Sequence, residues 1–398
     1  MKWIGGNNVA ANPLLSFLTM TVNTLKITGI LFLTVLFLGA CKDDTDNNVT
    51  EPDLNKDRKA VLVNLADNII IPSYANFKTK FDVMNAKSAS FTSKPDVTTL
   101  TEFRQSWIDA YTEWQKVELF DFGPGSRNAI RSYYNIYPTS PEGIAKYIAD
   151  PTENMEVTAS YDKQGFPALD YLLNGVGKTD AEIVAWYTAP TDGPKRLAYI
   201  TRITTHMDQL IKKVISDWSG TSYSDFTTKT GTDIGSPMGE MVNSFVLHYE
   251  RYIRSGKIGI PSGAMLNGVV AAEKVEGFYK KDISQVLAQT AHQAVVDFFN
   301  GKGVKTGTSG PSFKTYLDGI GAKDSASGTK LSDIINAQFQ VSKAKLDGLM
   351  PNFYQEVLTN NQAMKDTYTE MQKSVRMLKV DMTSAMSITI TYTDNDGD

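Results

Sequence analysis

Residues 98–122 read TTLTEFRQSWIDAYTEWQKVELFDF, and this stretch carries the clearest structural signal in the chain. Its apolar residues recur at alternating spacings of three and four: Leu100, Phe103, Trp107, Ala110, Trp114 and Val117. That spacing places them on one face of an α-helix. The sequence therefore predicts a helix over 98–122 that buries one face in a bundle and ends at Gly123-Pro124-Gly125.

Helical periodicity continues along nearly all of the chain after residue 58. Two helix starts are marked by serine followed by proline, because serine caps a first turn and proline fits its first position. They are Ser140-Pro141 and Ser236-Pro237. The longer predicted helices cover residues 194–218, 236–254, 282–300, 331–349 and 363–386. No series of alternating segments predicts a sheet, and only residues 388–391 are expected to form a short extended piece.

A polar run at residues 219–233, rich in threonine, serine and glycine, divides the helices into two sets. The sequence therefore predicts an all-α protein with two helical-bundle domains, each four-helix-bundle-like, at residues 58–220 and 234–398. Internal duplication would explain why LNGVGK at 173–178 resembles LDGIGAK at 317–323, since both follow a short helix. A short glycine-rich match also arises by chance, and both explanations stay open.

An apolar run of 14 residues, 27–40, follows Lys26 near the start of the chain. It is shorter than the roughly 20 residues that cross a bilayer, so it is predicted to be an export signal. The run ends in LGA directly before Cys41, the only cysteine, and resembles a bacterial lipobox. An ordinary secretory signal is the alternative. We expect a signal peptide at 1–40, lipid on Cys41 that attaches the protein to the membrane, and a flexible tether at 41–57.

The first residues after Cys41 carry a second localisation signal. Lys42-Asp43-Asp44 resembles the sequence that directs Bacteroidetes lipoproteins to the cell surface. We therefore expect an outer-membrane lipoprotein that is exposed at the surface. A periplasm-facing location is the alternative, in which the acidic residues only solvate the tether.

The composition excludes some other functions. The formal net charge is −4, and no basic excess predicts a nucleic-acid partner. A single cysteine cannot form a zinc-type cysteine motif. The three histidines, His206, His248 and His292, are too far apart for a His-x-x-x-His metal motif.

Six short segments occur in an order that a known family shares. They are WQKVELFDFGP at 114–124, NIYP at 135–138, GFPALDYLL at 165–173, YERY at 249–252, GKIGIP at 256–261 and DNDGD at 394–398. On these segments the chain resembles the imelysin-like family over about residues 58–398. The resemblance implies two helical-bundle domains, a periplasmic or surface location and a link to bacterial iron uptake through an outer-membrane uptake system. The family is also classed with metallopeptidases.

The signature of that family is Gly-x-His-x-x-Glu, whose histidine and glutamate lie on one helix face and can reach one metal ion. This chain has Gly165, but Pro167 stands at the histidine position and Asp170 at the glutamate position. Proline offers no lone pair to a metal, and a catalytic metal needs about three protein ligands. Metal-dependent hydrolysis is therefore not expected. Both residues also have a structural explanation, because they suit the first turns of a helix.

The resemblance places the turn after residue 122 close to the signature loop. Glu118, Arg127 and Arg131 flank this turn. We expect a cleft between the bundles lined by Gly165, Pro167, Asp170, Glu118 and Arg127. If the protein binds a metal, we expect iron or another divalent metal. The candidate ligands are Asp170, Glu118 and His248. The alternatives are ordinary ion pairing for the carboxylates and a core position for His248, which continues an apolar stripe.

Other charged residues are weaker candidates. Glu250 and Arg254 are spaced to pair on an exposed helix face. Glu273 and Glu276 form a possible acidic pair, and the terminal residues 394–398 are expected to be a solvated acidic tail rather than a calcium site.

Three functions follow as hypotheses. The first is a non-catalytic binding lipoprotein associated with the uptake of iron or another nutrient. The second is a metallopeptidase that uses a substitute ligand such as His248. The third is a glycan-binding outer-membrane lipoprotein, in which tryptophans would stack on sugars: Trp107, Trp114, Trp186 and Trp218.

Overall fold

A computed structural model describes residues 54–393, most of which are helical. The first half contains α1 (Leu54–Leu65), α2 (Ile71–Ser93), α3 (Val97–Trp114), α4 (Pro124–Arg127), α5 (Ile130–Tyr134), α6 (Pro141–Ala149), α7 (Gly165–Asp170), α8 (Asp180–Thr188), α9 (Gly193–Trp218) and α10 (Thr221–Thr228). The second half contains α11 (Pro237–Leu247), α12 (Ser284–Phe299), α13 (Phe313–Gly319), α14 (Leu331–Asp347), α15 (Phe353–Thr359), α16 (Asn361–Arg376) and α17 (Thr383–Ala385).

Short π-helical segments, which have wider turns, and 3₁₀ segments, which have tighter turns, connect or extend these α-helices. The π-helical segments are Ala66–Ile70, Tyr171–Gly175, His248–Gly259 and Met377–Met382, and the 3₁₀ segments are Thr158–Lys163 and Ala272–Lys274. Within residues 54–393, β-structure is limited to two isolated bridges, Lys302 with Ser309 and Lys323 with Lys330. The predicted all-α class is therefore confirmed. No helix in the described part is long and apolar enough to span a membrane.

Helix α3 begins where the sequence predicts but ends earlier. Asp96 caps it, because its carboxylate accepts the backbone N–H of Thr99 at 2.8 Å. The helix stops at Trp114 rather than at residue 122, and tight turns follow it. The turn residues Val117 and Leu119 are as buried as the helix seam. Residues 117–120 are all buried, so burial in this segment does not follow the one-sided pattern of an amphipathic helix.

Pro72 lies in the first turn of α2 and alters the backbone hydrogen bonds of the turn before it. Proline has no backbone N–H and so leaves the carbonyl of the residue four positions earlier without its helical donor. That residue is Asn68, which lies in the π-helical segment Ala66–Ile70. Its carbonyl oxygen instead accepts the backbone N–H of Val304 at 2.8 Å. Pro72 thus links the first helices to a loop in the second half of the chain.

The helices pack in two groups. In the first half, α2 packs against α3 and α9. In the second half, α16 packs against α14 and the segment His248–Gly259, while α12 packs against α14. Helices α3 and α12 connect the groups, and α1 crosses the predicted boundary to contact α10, α11 and α13. The predicted division into domains at 58–220 and 234–398 stays a prediction.

Several helix ends agree with the sequence and others do not. Ser140 and Ser236 cap α6 and α11 as predicted. The helix predicted over residues 236–254 continues through a π-helical stretch to Gly259. The polar run at 219–233 contains α10, and residues 388–391 form no strand. There the side chain of Asn243 bonds the backbone like a neighbouring strand, accepting from Thr391 N at 2.8 Å and donating to Thr389 O at 2.9 Å.

Two loops in the second half share a hydrogen-bond pattern. In one, Gly307 N donates to Gly303 O at 2.8 Å, and at the equivalent positions of the other, Gly328 N donates to Asp324 O at 2.9 Å. This similarity relates neighbouring loops and not the two halves of the chain. The predicted duplication between the halves stays a prediction.

Some sequence predictions lie outside the described residues. They are the signal peptide at 1–40, the lipid on Cys41, most of the tether at 41–57 and the acidic tail at 394–398. The last four residues of the predicted tether are already helical, because α1 begins at Leu54.

Candidate functional site

Gly165 begins α7 at a point where two backbones almost touch. Its φ of +77° is a conformation that suits glycine, and a Cβ there would lie 2.3 Å from the carbonyl oxygen of Tyr134. The next residue, Phe166, stacks on Tyr111 with ring centroids 4.6 Å apart and an interplanar angle of 4°. Gly165 therefore allows the start of α7 to pack directly against α3 and α5.

Asp170, at the end of α7, uses its carboxylate to hold a distant loop. Oδ2 accepts the backbone N–H of Tyr279 at 2.9 Å, and Oδ1 accepts that of Lys280 at 2.9 Å. The side chain of Asn174 donates to Oδ1 at 3.0 Å. Burial raises the pKa of Asp170 to about 7, while the three N–H donors act in the opposite direction. Asp170 connects α7 to the segment that follows Glu276.

The signature positions do not fit the metal ion that the family motif implies. Pro167 is buried in the first turn of α7 and offers no donor atom. Both oxygens of Asp170 already accept hydrogen bonds from N–H groups. Among residues 54–393, no group of three His, Cys, Asp or Glu side chains could hold a metal ion. Asp170, Glu118 and His248, the candidate ligands, are therefore not brought together as one such group.

A buried polar network lies where the two groups of helices meet. Its centre is Glu276, whose Oε2 forms an ion pair with Lys257, and both side chains are almost fully buried. The Oε1 atom of Glu276 accepts from the side-chain amides of Asn135 at 2.7 Å and Gln115 at 3.1 Å. The Tyr111 hydroxyl lies 2.9 Å from the same oxygen. The network therefore joins α3 and the end of α5 to the second half of the chain.

Glu118 extends this network but is only partly satisfied. Its Oε1 accepts from Asn135 at 2.9 Å. Its Oε2 is buried and has no hydrogen-bond partner among the described residues. Burial is the main cause of the raised pKa of Glu118, and the nearby Lys257 lowers that pKa. A buried oxygen without a donor is uncommon in folded proteins, and a water molecule, an ion or another ligand can satisfy it.

A cavity of about 340 Å³ lies beside Glu118. Its lining comes from both groups of helices: Glu118, Arg131, Asn135, Ile136, Tyr137, Pro138, Arg251, Tyr252, Gly256, Ile260 and Lys274. The guanidinium carbon of Arg131 lies 3.5 Å from the ring centroid of Tyr252. The Nε of Arg131 is also buried without a hydrogen-bond partner in the described part, although Asp121 lies 3.6 Å away. This cavity is our candidate functional site.

Arg127 does not line this cavity, although it was predicted to do so. Its guanidinium donates to the hydroxyl of Ser222 at 2.6 Å and lines a different cleft. Arg131 occupies the cavity instead, because α4 ends at Arg127 and the chain turns before α5 begins. Gly165, Pro167 and Asp170 are also absent from the lining. Of the five residues predicted to line a cleft, only Glu118 does so here.

His248 is buried next to the cavity, as the apolar stripe predicts. Its ring centroid lies 6.0 Å from that of the cavity residue Tyr252. Neither ring nitrogen has a hydrogen-bond partner in the part of the chain that the structure describes. Burial lowers the pKa of His248 well below its ordinary value, and the cations Lys257 and Arg131 add to that effect. The imidazole is therefore neutral at physiological pH.

Sequence reasoning missed most of the polar network. Lys257, Gln115 and Asn135 lie inside the segments that carry the family resemblance, but nothing in their spacing shows that they meet. Glu276 was a weak candidate only as a partner of Glu273, which is exposed. The predicted i,i+4 pair of Glu250 and Arg254 is present, with a charged-atom distance of 4.0 Å, but the expectation that it lies on an exposed face was wrong, because both residues are buried.

The fold and the site define an all-helical protein with a polar network and a small cavity between two groups of helices. Comparison with known families identifies this class. The family model described as imelysin, peptidase M75, matches residues 70–381, and the chain belongs to that family.

Individual relatives are distant. Over 107 residues the chain is 25% identical to iron-regulated protein A of Synechococcus elongatus, a match that covers 27% of this chain and 29% of that protein. The chain therefore spans less than a third of that curated relative. Solved structures of similar fold carry both names, imelysin-like protein and iron-regulated protein A.

One is an imelysin-like protein of Psychrobacter arcticum 273-4, with a TM-score of 0.64 and 17% identity, covering 85% of this chain and 98% of the other. Another is described as an iron-regulated protein A precursor of Parabacteroides distasonis, with a TM-score of 0.65 and 14% identity. That match covers 82% of this chain and 95% of the other. At these identities the likeness shows the fold.

Proposed function

We propose that the protein is a non-catalytic binding component associated with the uptake of iron or another nutrient, and that its ligand binds in the cavity beside Glu118. The observation that carries the proposal is a pair of buried polar atoms at this cavity that have no hydrogen-bond partner within residues 54–393: Glu118 Oε2, and Arg131 Nε, whose ion-pair partner Asp121 lies 3.6 Å away. Because a buried polar atom without a partner costs about 1–3 kcal/mol, a ligand that supplies partners gains that energy.

The link to iron rests on relatives. The curated protein with the partial match is named iron-regulated protein A, and a solved structure of similar fold carries the same name. The second of these is described as a precursor, which suits export. We extend this to a lipid anchor on Cys41, an outer-membrane location with surface exposure, and a partner in an outer-membrane uptake system. Membrane fractionation of the wild type and Cys41→Ala tests the anchor, which requires the variant to leave the membrane.

Two observations favour binding over hydrolysis. Pro167 replaces the only imidazole of the family motif, and the carboxylate of Asp170 is committed to the backbone of residues 279 and 280. A metallopeptidase that uses His248 as a substitute ligand predicts cleavage of an unstructured protein that chelators inhibit and Asp170→Ala abolishes. We expect no such cleavage, and its detection would establish the alternative.

The glycan hypothesis loses its main support. Trp107, Trp114 and Trp218 are buried in the core, and Trp186 lies under the guanidinium of Arg196, 4.1 Å from its ring centroid. None of these four residues forms an exposed stacking platform.

Calorimetry on purified residues 42–398 tests the binding function. Ferric iron, haem and ferric siderophores are the ligands, and the matched variants are Glu118→Gln at the cavity and Asp170→Asn at the signature position. We expect Glu118→Gln to weaken binding and Asp170→Asn to leave it within about threefold. Absence of binding to all of these ligands, together with no partner in a membrane pull-down, would reject the proposal.

A further inference from the structure

The charged side chains around the cavity are unequal in sign. One carboxylate, Glu118, faces three cations: Arg131, Arg251 and Lys274. Within the described residues Lys274 forms no ion pair, and the guanidinium of Arg251 donates to the backbone oxygen of Thr393 at 2.8 Å. Arg131 is buried and is ion-paired with Asp121 at 3.6 Å. Arg251 and Lys274 are partly exposed and have no carboxylate partner among the described residues, so they attract an anion.

The rest of the lining is largely apolar. Ile136, Pro138 and Ile260 contribute aliphatic surface, and the ring of Tyr252 contributes an aromatic face that the cation–π contact with Arg131 fixes in place. The hydroxyl of Tyr137 lies next to Gly256, where a Cβ would be only 3.1 Å away. Apolar walls with a few fixed polar groups are typical of sites that bind small organic molecules.

The two buried atoms without a hydrogen bond define what such a molecule must offer. Glu118 Oε2 can accept from a hydrogen-bond donor, and Arg131 Nε can donate to an acceptor closer than Asp121, which lies 3.6 Å away. A bare divalent cation would satisfy neither Arg131 nor the other two cations. A carboxylate satisfies the guanidinium, and a hydroxyl group on the same molecule satisfies Glu118.

From this geometry we propose that the cavity binds a small organic anion: a carboxylate with an apolar body and a hydroxyl donor, held between Arg131, Arg251 and Lys274 on one side and Glu118 on the other. The inference rests on the proposed function, since it names the ligand class of the same site. The volume of about 340 Å³ lies near the lower end for small-molecule sites and fits one such molecule.

Calorimetry with matched probes tests the charge requirement. The probes are 4-hydroxybenzoate and its neutral analogue 4-hydroxybenzamide, titrated into purified residues 42–398 at pH 7.5. We expect the carboxylate to bind at least tenfold more tightly than the amide, and its affinity to fall as salt rises. Lys274→Gln should weaken carboxylate binding about three- to tenfold and leave amide binding unchanged. The matched control is Lys195→Gln, an exposed lysine outside the cavity, which should change neither.

A second comparison tests the donor requirement. Benzoate lacks the hydroxyl, so in the wild type 4-hydroxybenzoate should bind more tightly than benzoate. In Glu118→Gln the side-chain shape is kept but the charge is lost, and the difference between the two probes should shrink. The thermal midpoint of each variant without ligand shows whether it is folded.

Different results separate this inference from the proposed function. If the amide binds as tightly as the carboxylate, or Lys274→Gln leaves carboxylate binding unchanged, the organic-anion inference is wrong. If in that case Glu118→Gln still weakens binding of the amide, the cavity remains the binding site for another ligand class. If no probe binds, the inference is also wrong, and the iron-ligand titrations decide the proposed function alone.

Discussion

At the scale of single residues, the ion pair between Lys257 and Glu276 places two opposite charges inside the core. Both side chains are almost fully buried, so removing one leaves the other charge without its counterion. Breaking a buried pair in this way costs about 3–5 kcal/mol. We therefore expect Lys257→Met to lower the free energy of unfolding by that amount, measured by urea denaturation.

The double variant Lys257→Met with Glu276→Gln provides the control. It removes both charges and keeps acceptors for Asn135 and Gln115, so it should recover most of the lost stability. If the double variant is as unstable as Lys257→Met, the unpaired charge of Glu276 is not the cause of the lost stability.

Gly165 gives a second prediction at this scale. Alanine there adds the left-handed backbone cost of about 1–2 kcal/mol and a Cβ at 2.3 Å from the Tyr134 carbonyl, so Gly165→Ala should destabilise by about 3 kcal/mol or more. Gly268→Ala is the matched control, since φ is +86° but nothing lies within 4 Å of the added Cβ. It should cost only the backbone term. If Gly165→Ala and Gly268→Ala lowered the thermal stability equally, the close contact of residue 165 with Tyr134 would not be the cause of its larger expected cost.

These residues show what a single sequence can reveal about a site. The family motif located Gly165 and Asp170, and the chemistry of proline showed that Pro167 cannot bind a metal. The motif did not reveal that Asp170 holds residues 279 and 280, because that contact joins positions more than 100 residues apart. Pairings at such separations depend on the packing of helices, which no local pattern encodes.

At the scale of elements, α7 and the loop after Glu276 form one unit through Asp170. Asp170→Ala would leave two backbone N–H groups without their acceptor, each worth about 1–3 kcal/mol when buried, while the Asn174 amide keeps the backbone carbonyl of residue 170 at 3.2 Å. We expect a loss of about 3 kcal/mol and faster amide hydrogen exchange at Tyr279 and Lys280, measured by NMR or mass spectrometry.

The matched control is Asp324→Ala. Asp324 also accepts a backbone N–H, from Ser327 at 2.7 Å, but it lies in an exposed loop where water replaces the bond. It should change stability far less. Unchanged exchange at residues 279 and 280 in Asp170→Ala would contradict the structural role of Asp170.

Helices were the most predictable elements, and their ends were the least. Apolar spacing predicted α3, α9, α12, α14 and α16, and serine caps gave the starts of α6 and α11. The π-helical segment His248–Gly259 was not predicted, because its sequence continues the helical pattern while its hydrogen bonds do not. That segment contains Tyr252 and Gly256, which line the cavity, and Lys257, which pairs with Glu276. The π-helical geometry that the sequence did not predict therefore positions residues of the candidate site.

At the scale of the whole molecule, the core encloses titratable groups that respond to pH in opposite directions. Burial raises the pKa of Asp170 and Glu118, which favours the folded state as pH falls. Burial lowers the pKa of His206, His248 and His292, which disfavours the folded state as pH falls. The stability profile of the wild type is the sum of these effects, and single variants are needed to separate them.

His292 allows the clearest separation. Its Nε2 donates to the carbonyl of Phe339 at 3.1 Å, and its Nδ1 faces the Tyr249 hydroxyl at 3.3 Å, so the neutral ring is held in one tautomer. Burial lowers its pKa to about 4. The unfolded chain, with a pKa near 6.5, takes up a proton first, so the stability from this residue is present above pH 6.5 and is lost as pH falls toward 4.

Between pH 7.5 and pH 5 this loss amounts to about 2 kcal/mol from His292 alone. His292→Gln keeps one donor and one acceptor but does not titrate, so its free energy of unfolding should fall about 2 kcal/mol less than that of the wild type over the same interval. Urea denaturation at both pH values measures the difference, and the opposing carboxylates cancel because both proteins contain them. Parallel pH profiles for the two proteins would mean that His292 is charged in the folded state or exposed to solvent.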